Sequence, residues 1–160
     1  MLKFNIEQLA FYPADPAAAK ELLAAMGHPE WAEDHVVAAG DVFGRHGCEN
    51  EADLSFNYTA LKEARELEVL HYTAGENWME HRAGATPSRA SHIGMHCSEE
   101  ELSEWKDFFS ARKIKIAQEV HTSSHTNPVI AGKREYHYVI FDTHGILGID
   151  VKFIVRKDIA

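Results

Sequence analysis

The sequence predicts an α+β fold built from two copies of a strand–helix–three-strand unit. Three observations carry this. Segments of strand type, rich in aromatic and β-branched residues, outnumber the helical ones. Two clear helix starts, Asp15-Pro16 and Ser98-Glu99-Glu100-Glu101, each follow a strand candidate. The order βαβββ then occurs twice, giving module one (1–75), a connector (76–89) and module two (90–156) within one domain.

In module one, Phe4 to Tyr12 reads as a strand that Pro13 ends. Asp15 is a good N-cap and Pro16 is favoured at the first helical position. Ala17 to Met26 are mostly strong helix formers, and Gly27 with Pro29 stops them. Three strands follow at Asp34–Ala39, Asp53–Thr59 and Arg65–Tyr72, with Gly40, Gly44 and Gly47 among the breaks.

Module two opens with a strand at Ala90–Cys97. Ser98 and Glu101 then form a capping box. Leu102, Trp105, Phe108 and Phe109 recur at helical spacing and mark a buried stripe. Ile114, Ile116, Gln118 and Val120 alternate as a strand, and Thr122 to Lys133 reads as a polar loop. Tyr136–Phe141 and Leu147–Val155 are the last strands, with Thr143-His144-Gly145 as their turn.

Composition excludes several classes of partner. A formal charge of -9 argues against nucleic acid and against an anionic membrane surface. The N-terminus lacks the pattern of a signal peptide and no apolar run is long enough to span a bilayer, so the expected location is the cytoplasm. Cys48 and Cys97 stand apart from any CxxC pattern and read as reduced thiols. Eleven histidines make metal or acid–base chemistry worth testing, and they also make chance pairs common. His121 and His125 are such a pair, expected at a strand end and loop facing solvent.

The repeat singles out four residues. Gln8 and His92 lie on the first strands of the two modules, 84 residues apart; Glu68 and Asp150 lie on the last strands, 82 apart. Each offers an oxygen or nitrogen to a borderline metal ion. Side chains two apart share a strand face, so Tyr12, Leu70, Tyr72, His96 and Lys152 join them, with Ala10 and Gly94 leaving room for substrate. Singly, each has a plainer reading: Gln8 on a polar face, His92 as a core histidine, Glu68 no different from Glu66 of the same parity. Asp150, among Ile149, Val151 and Phe153, is the most informative, because a carboxylate in so apolar a strand needs a partner.

On IEQLAFYPADP, ELEVLHYTAG, ASHIGMHCSEEEL and FDTHGILGIDVKF, the chain resembles the vicinal oxygen chelate superfamily, and glyoxalase I in particular, over most of its length. The resemblance implies glyoxalase-like curved sheets around a cleft. It implies one divalent metal per site (zinc, nickel, cobalt, manganese or iron) on Gln8, Glu68, His92 and Asp150. It implies a lyase or isomerase acting on a small oxygenated carbonyl substrate through an enediolate, with Glu68 or Asp150 moving the proton. Tyr12, Leu70, Tyr72 and His96 would line the substrate pocket. It also implies a homodimer, whose subunits can share a site. Two departures stand out. Asp150 is shorter than the family's glutamate by roughly 1.5 Å. Tyr12 and Tyr72 replace the Arg and Asn that would meet glutathione, so a glutathione adduct is not expected. The same fold also hosts iron(II) dioxygenases and non-enzymatic binding proteins of the bleomycin-resistance type.

Overall fold

A computed structural model of the chain describes residues 2–58, 66–82 and 89–159. Module one contains β1 (Gln8–Tyr12), α1 (Pro16–Ala25), β2 (Ala32–Val42), β3 (Arg45–Asn57) and β4 (Glu66–Gly75). A short helix, α2 (Trp78–His81), precedes module two: β5 (Arg89–His96), α3 (Glu99–Ala111), β6 (Ile116–His125), β7 (Arg134–Phe141), α4 (His144–Leu147) and β8 (Asp150–Asp158). The βαβββ order therefore recurs as the sequence predicts. Thr59, Arg65 and residues 83–88 of the connector lie outside the described residues.

The eight strands close into a barrel in the order β1-β4-β3-β2-β6-β7-β8-β5. Within each module the first strand runs parallel to the last, β1 to β4 and β5 to β8. Two antiparallel seams join the modules. At one, β1 meets β5 with Ala10 opposite His92; at the other, β2 meets β6 with Gly40 opposite Val120. The curved sheets expected around a cleft thus meet on both sides.

Two apolar clusters hold this frame. One fills part of the barrel with Val36, Leu54, Leu70, Trp78 and Ile140. The other packs α3 on the outer face of module two, with Leu102, Trp105 and Phe109 against Phe141 and Phe153. The α3 stripe is buried because its spacing keeps those residues on one helix face. Its start carries the predicted box: Ser98 accepts from the Glu101 amide, and the Glu101 carboxylate accepts from the Ser98 amide.

Several boundaries differ from the sequence expectation. The first strand begins at Gln8, because Phe4 leaves the sheet and sets its ring edge-on to Trp105 and Phe153. Gly40 is no break: it sits inside β2, whose full length gives β6 a partner out to His125. Residues 122–125 are accordingly strand rather than loop. His125 is not turned to solvent either; its side chain is 4% exposed and its Nδ1 lies 2.7 Å from Asp34 Oδ2. The connector carries α2, capped by Asn77, with Trp78 and Met79 buried. Among the described residues, no helix is long and apolar enough to cross a membrane.

Candidate functional site

The strand pairing decides which candidate residues meet. Parallel pairing sets Glu68 opposite Ala10, and antiparallel pairing sets Gln8 opposite Gly94. Gln8 can therefore reach His92 on one side and the β4 carboxylates on the other. His92 Nε2 lies 2.6 Å from Gln8 Oε1, and Gln8 Nε2 donates to Glu68 Oε2 (2.9 Å) and Glu66 Oε1 (2.5 Å). The Ser91 hydroxyl lies 2.9 Å from His92 Nδ1. The chemistry orients this chain. Carboxylates accept, so the amide NH2 faces them and its oxygen faces the imidazole. His92 then carries its proton on Nε2 and accepts from Ser91 at Nδ1. Gln8, Glu68 and His92 are all buried, and they meet within one chain.

Gly94 has a use other than room for substrate. A Cβ there would lie 3.1 Å from Gln8 Oε1 and 3.3 Å from its Cβ. The glycine lets the Gln8 side chain lie against β5.

Asp150 is placed opposite His92 in the β5–β8 register. Its carboxylate accepts from Arg82 Nη1 (2.6 Å) and Nη2 (3.1 Å), from the Trp78 indole (2.9 Å) and from the His144 amide (3.0 Å). The partner that an apolar strand demanded of this carboxylate is a bidentate arginine from the connector. Arg82 also donates to Asp142, and these two carboxylates raise its pKa against the opposing effect of burial.

The interior also holds a positive charge. Lys152, one pleat beyond Asp150, is 7% exposed, and its ammonium stands 4.2 Å from the centre of the Tyr138 ring. Burial lowers the Lys152 pKa, and Glu68 and Glu66 oppose that shift. Burial raises Glu68, with Lys152 opposing. Burial, and then the charge of Glu68, push Glu66 up to about 7. His92 falls well below its usual range through burial and then through Lys152, which keeps the imidazole neutral.

A cavity of about 230 Å³ opens onto this network. Gln8, Glu66, Glu68, Tyr138 and Lys152 line it, together with Arg134, Tyr136 and Arg156. A smaller space of about 30 Å³ lies against Leu70, Tyr72, Trp78 and Gln118 and shares Glu68, Tyr138 and Lys152 with the first. Of the four expected pocket residues, His96 lines the larger space, and Leu70 and Tyr72 the smaller. Tyr12 is packed edge-on to Tyr72 and donates to Glu80 (3.3 Å). A wider groove of about 920 Å³ runs outside the barrel beside Lys106, Ile114 and Phe141 and contains none of the candidates.

Asp150 is saturated by four hydrogen bonds. His92 Nε2 is engaged by Gln8 Oε1 at 2.6 Å. A fixed ammonium faces Glu68. Among the described residues, no three His, Cys, Asp or Glu side chains are grouped so as to hold an ion. The set as it stands does not fit a resident metal.

Sequence reasoning placed Lys152 on the site face without giving it a role, and it missed Arg82 and Trp78. The one local signal for these was the apolar pair Trp78-Met79 in an otherwise polar connector.

No protein-family model matches the sequence, and no curated protein does. Solved structures do match its shape. A hypothetical protein, BH1468 from Bacillus halodurans C-125, superposes with a TM-score of 0.51 at 11% identity, covering 98% of this chain and 96% of that one. A Streptomyces coelicolor methylmalonyl-CoA epimerase variant, in complex with 2-nitronate-propionyl-CoA, gives 0.50 at 12%, covering 94% and 93%. The class defined is an α+β fold whose curved, closed sheet matches these glyoxalase-like structures. At these identities the likeness is one of fold.

Proposed function

We propose that this chain is a proton-transfer lyase or isomerase for a small oxygenated carbonyl compound, with Glu68 as its base. The observation that carries the reading is the state of the Glu68 carboxylate. It is 1% exposed, one oxygen is held by Gln8, and the other, Oε1, has no hydrogen-bond partner among the described residues. A buried, half-satisfied carboxylate at a cavity floor, its pKa raised by burial, suits general-base work near neutral pH. Gln8 and His92 would position it. The fold shared with an epimerase supports the same chemistry. Tyr12 and Tyr72 keep a glutathione adduct outside the reading.

The test is proton exchange. Chelator-treated protein is incubated in D2O with hydroxyacetone, glycolate or methylmalonyl-CoA, and loss of the signal from the carbon next to the carbonyl is followed by proton NMR. At least one probe is expected to exchange, and Glu68→Gln to slow it by about 10²–10⁴-fold, the usual contribution of a general base. Binding without exchange would leave a sequestering protein. That second reading is favoured by how much of the polar network is already satisfied internally.

A further inference from the structure

We propose that the ammonium of Lys152 is the cation of this site, gripping the carbonyl or carboxylate oxygen of a small 2-hydroxy carbonyl ligand without a metal. This rests on the reading of the cavity as a small-molecule site.

The first observation is a partnerless carboxylate oxygen and an ammonium with hydrogen-bonding capacity to spare, facing one space. Lys152 is more than nine-tenths buried as a residue; its ammonium lies over the Tyr138 ring and feels the charges of Glu68 and Glu66, with no hydrogen bond to them among the described residues. Glu68 is buried more deeply, and its Oε1 is without a partner. Both residues line the same two cavities. Buried polar groups are almost always paired, so the partnerless Glu68 oxygen, with an ammonium able to donate into the same cavity, points to a ligand that meets both. The missing molecule offers an oxygen to Lys152 and an O–H to Glu68. Adjacent hydroxyl and carbonyl oxygens supply that pair within a small volume.

The second observation is position. Lys152 is two residues from Asp150 on β8, so both project from the same face of that strand. Asp150 has gone to Arg82, and Lys152 supplies positive charge to the interior. A fixed ammonium beside Glu66 and Glu68 would repel a divalent ion and attract the oxygen that such an ion would hold. Arg134 and Arg156 at the cavity wall are both paired with Asp158, which leaves Lys152 as the cation turned to the ligand.

Chelator-treated wild type is titrated with glycolate and with hydroxyacetone, followed by protein NMR with ¹³C-labelled lysine. Both are expected to bind without metal and to shift the Lys152 signal among the lysines. Lys152→Met should weaken glycolate at least tenfold, and Lys152→Arg should retain part of the binding. Binding that appears only after zinc or nickel is added, or that survives Lys152→Met unchanged, overturns the proposal. If Lys152→Met does not fold, the wild-type Lys152 signal decides: bound glycolate that leaves it unmoved is equally fatal. No binding by wild type, with or without metal, fails the cavity reading itself and this inference with it.

Discussion

Asp150 shows what can and cannot be read at a single residue. Its apolar neighbours announced a buried carboxylate in need of a partner, and the structure supplies one. The partner's identity was not legible, because Arg82 sits 68 residues away in a connector with no repeat counterpart. Gln8, Glu68 and His92 were legible, since strand parity and the repeat place them together without knowledge of the barrel. Lys152 shared their parity but, without the cavity, looked like any charged strand residue. The Arg82–Asp150 pair leads to a prediction. Their side chains are 14% and 1% exposed. Removing one partner of a buried ion pair strands the other, at a cost of about 3–5 kcal/mol. Arg82→Met and Asp150→Ala should each lose stability on that order in urea denaturation, and the double variant less than their sum. If Asp150 serves the frame, Asp150→Asn that remains folded should keep proton exchange within a few-fold of wild type. A hundredfold loss would return Asp150 to the chemistry.

At the scale of elements, α3 was the most legible, because its cap, its stripe and its length are all local. Ser98→Ala should cost about 1 kcal/mol. The end of β6 was least legible, since its pairing with β2 has no local signature. Between α3, β6 and β7 lies an acid–base cluster that makes the module pH-sensitive. His137 touches Glu99 (2.9 Å) and Glu119 (2.8 Å), and Lys106 also pairs with Glu119. The His137 hydrogen bond, outweighing burial and aided by Lys106, lowers Glu119 from 4.5 to about 2. A depressed carboxylate binds its proton more weakly in the folded state. Its contribution is therefore present above pH 4.5 and is lost as pH falls towards 2. His137 works in the opposite direction: burial lowers its pKa, but the two glutamates raise it overall from 6.5, so its share fades as pH rises through that raised value. Glu119→Gln should thus destabilise the protein at pH 6 and have little effect near pH 2, as chemical denaturation at the two pH values would show.

For the whole molecule, the question is whether the site is a closed interior or an open cleft. The repeat makes two four-stranded modules legible, but it does not say which edges meet. The β1·β5 seam follows from bringing Gln8 to His92. The β2·β6 seam has no such requirement, and it closes the barrel. Gly40 reports on it directly. A Cβ there would lie 2.0 Å from the Glu119 carbonyl oxygen and 2.8 Å from the Val120 Cα, both backbone atoms across the seam. Backbone in a paired strand cannot swing aside as a flexible side chain can, so Gly40→Ala must part β2 from β6 locally. Overpacking of this kind costs about 1–3 kcal/mol, and more where relief is blocked. Gly145 is the matched control: a Cβ there meets nothing within 4 Å, and Gly145→Ala should be nearly neutral. In urea, Gly40→Ala should unfold well before both wild type and the control. Amide exchange should rise first at Val36–Val42 and Gln118–His125, the two sides of the seam. Asp34 of β2 lines the cavity with Lys152, so a parted seam should also weaken glycolate binding. Wild-type stability in Gly40→Ala would mean that the seam is not closed in solution and that the carboxylate–lysine floor opens on a cleft.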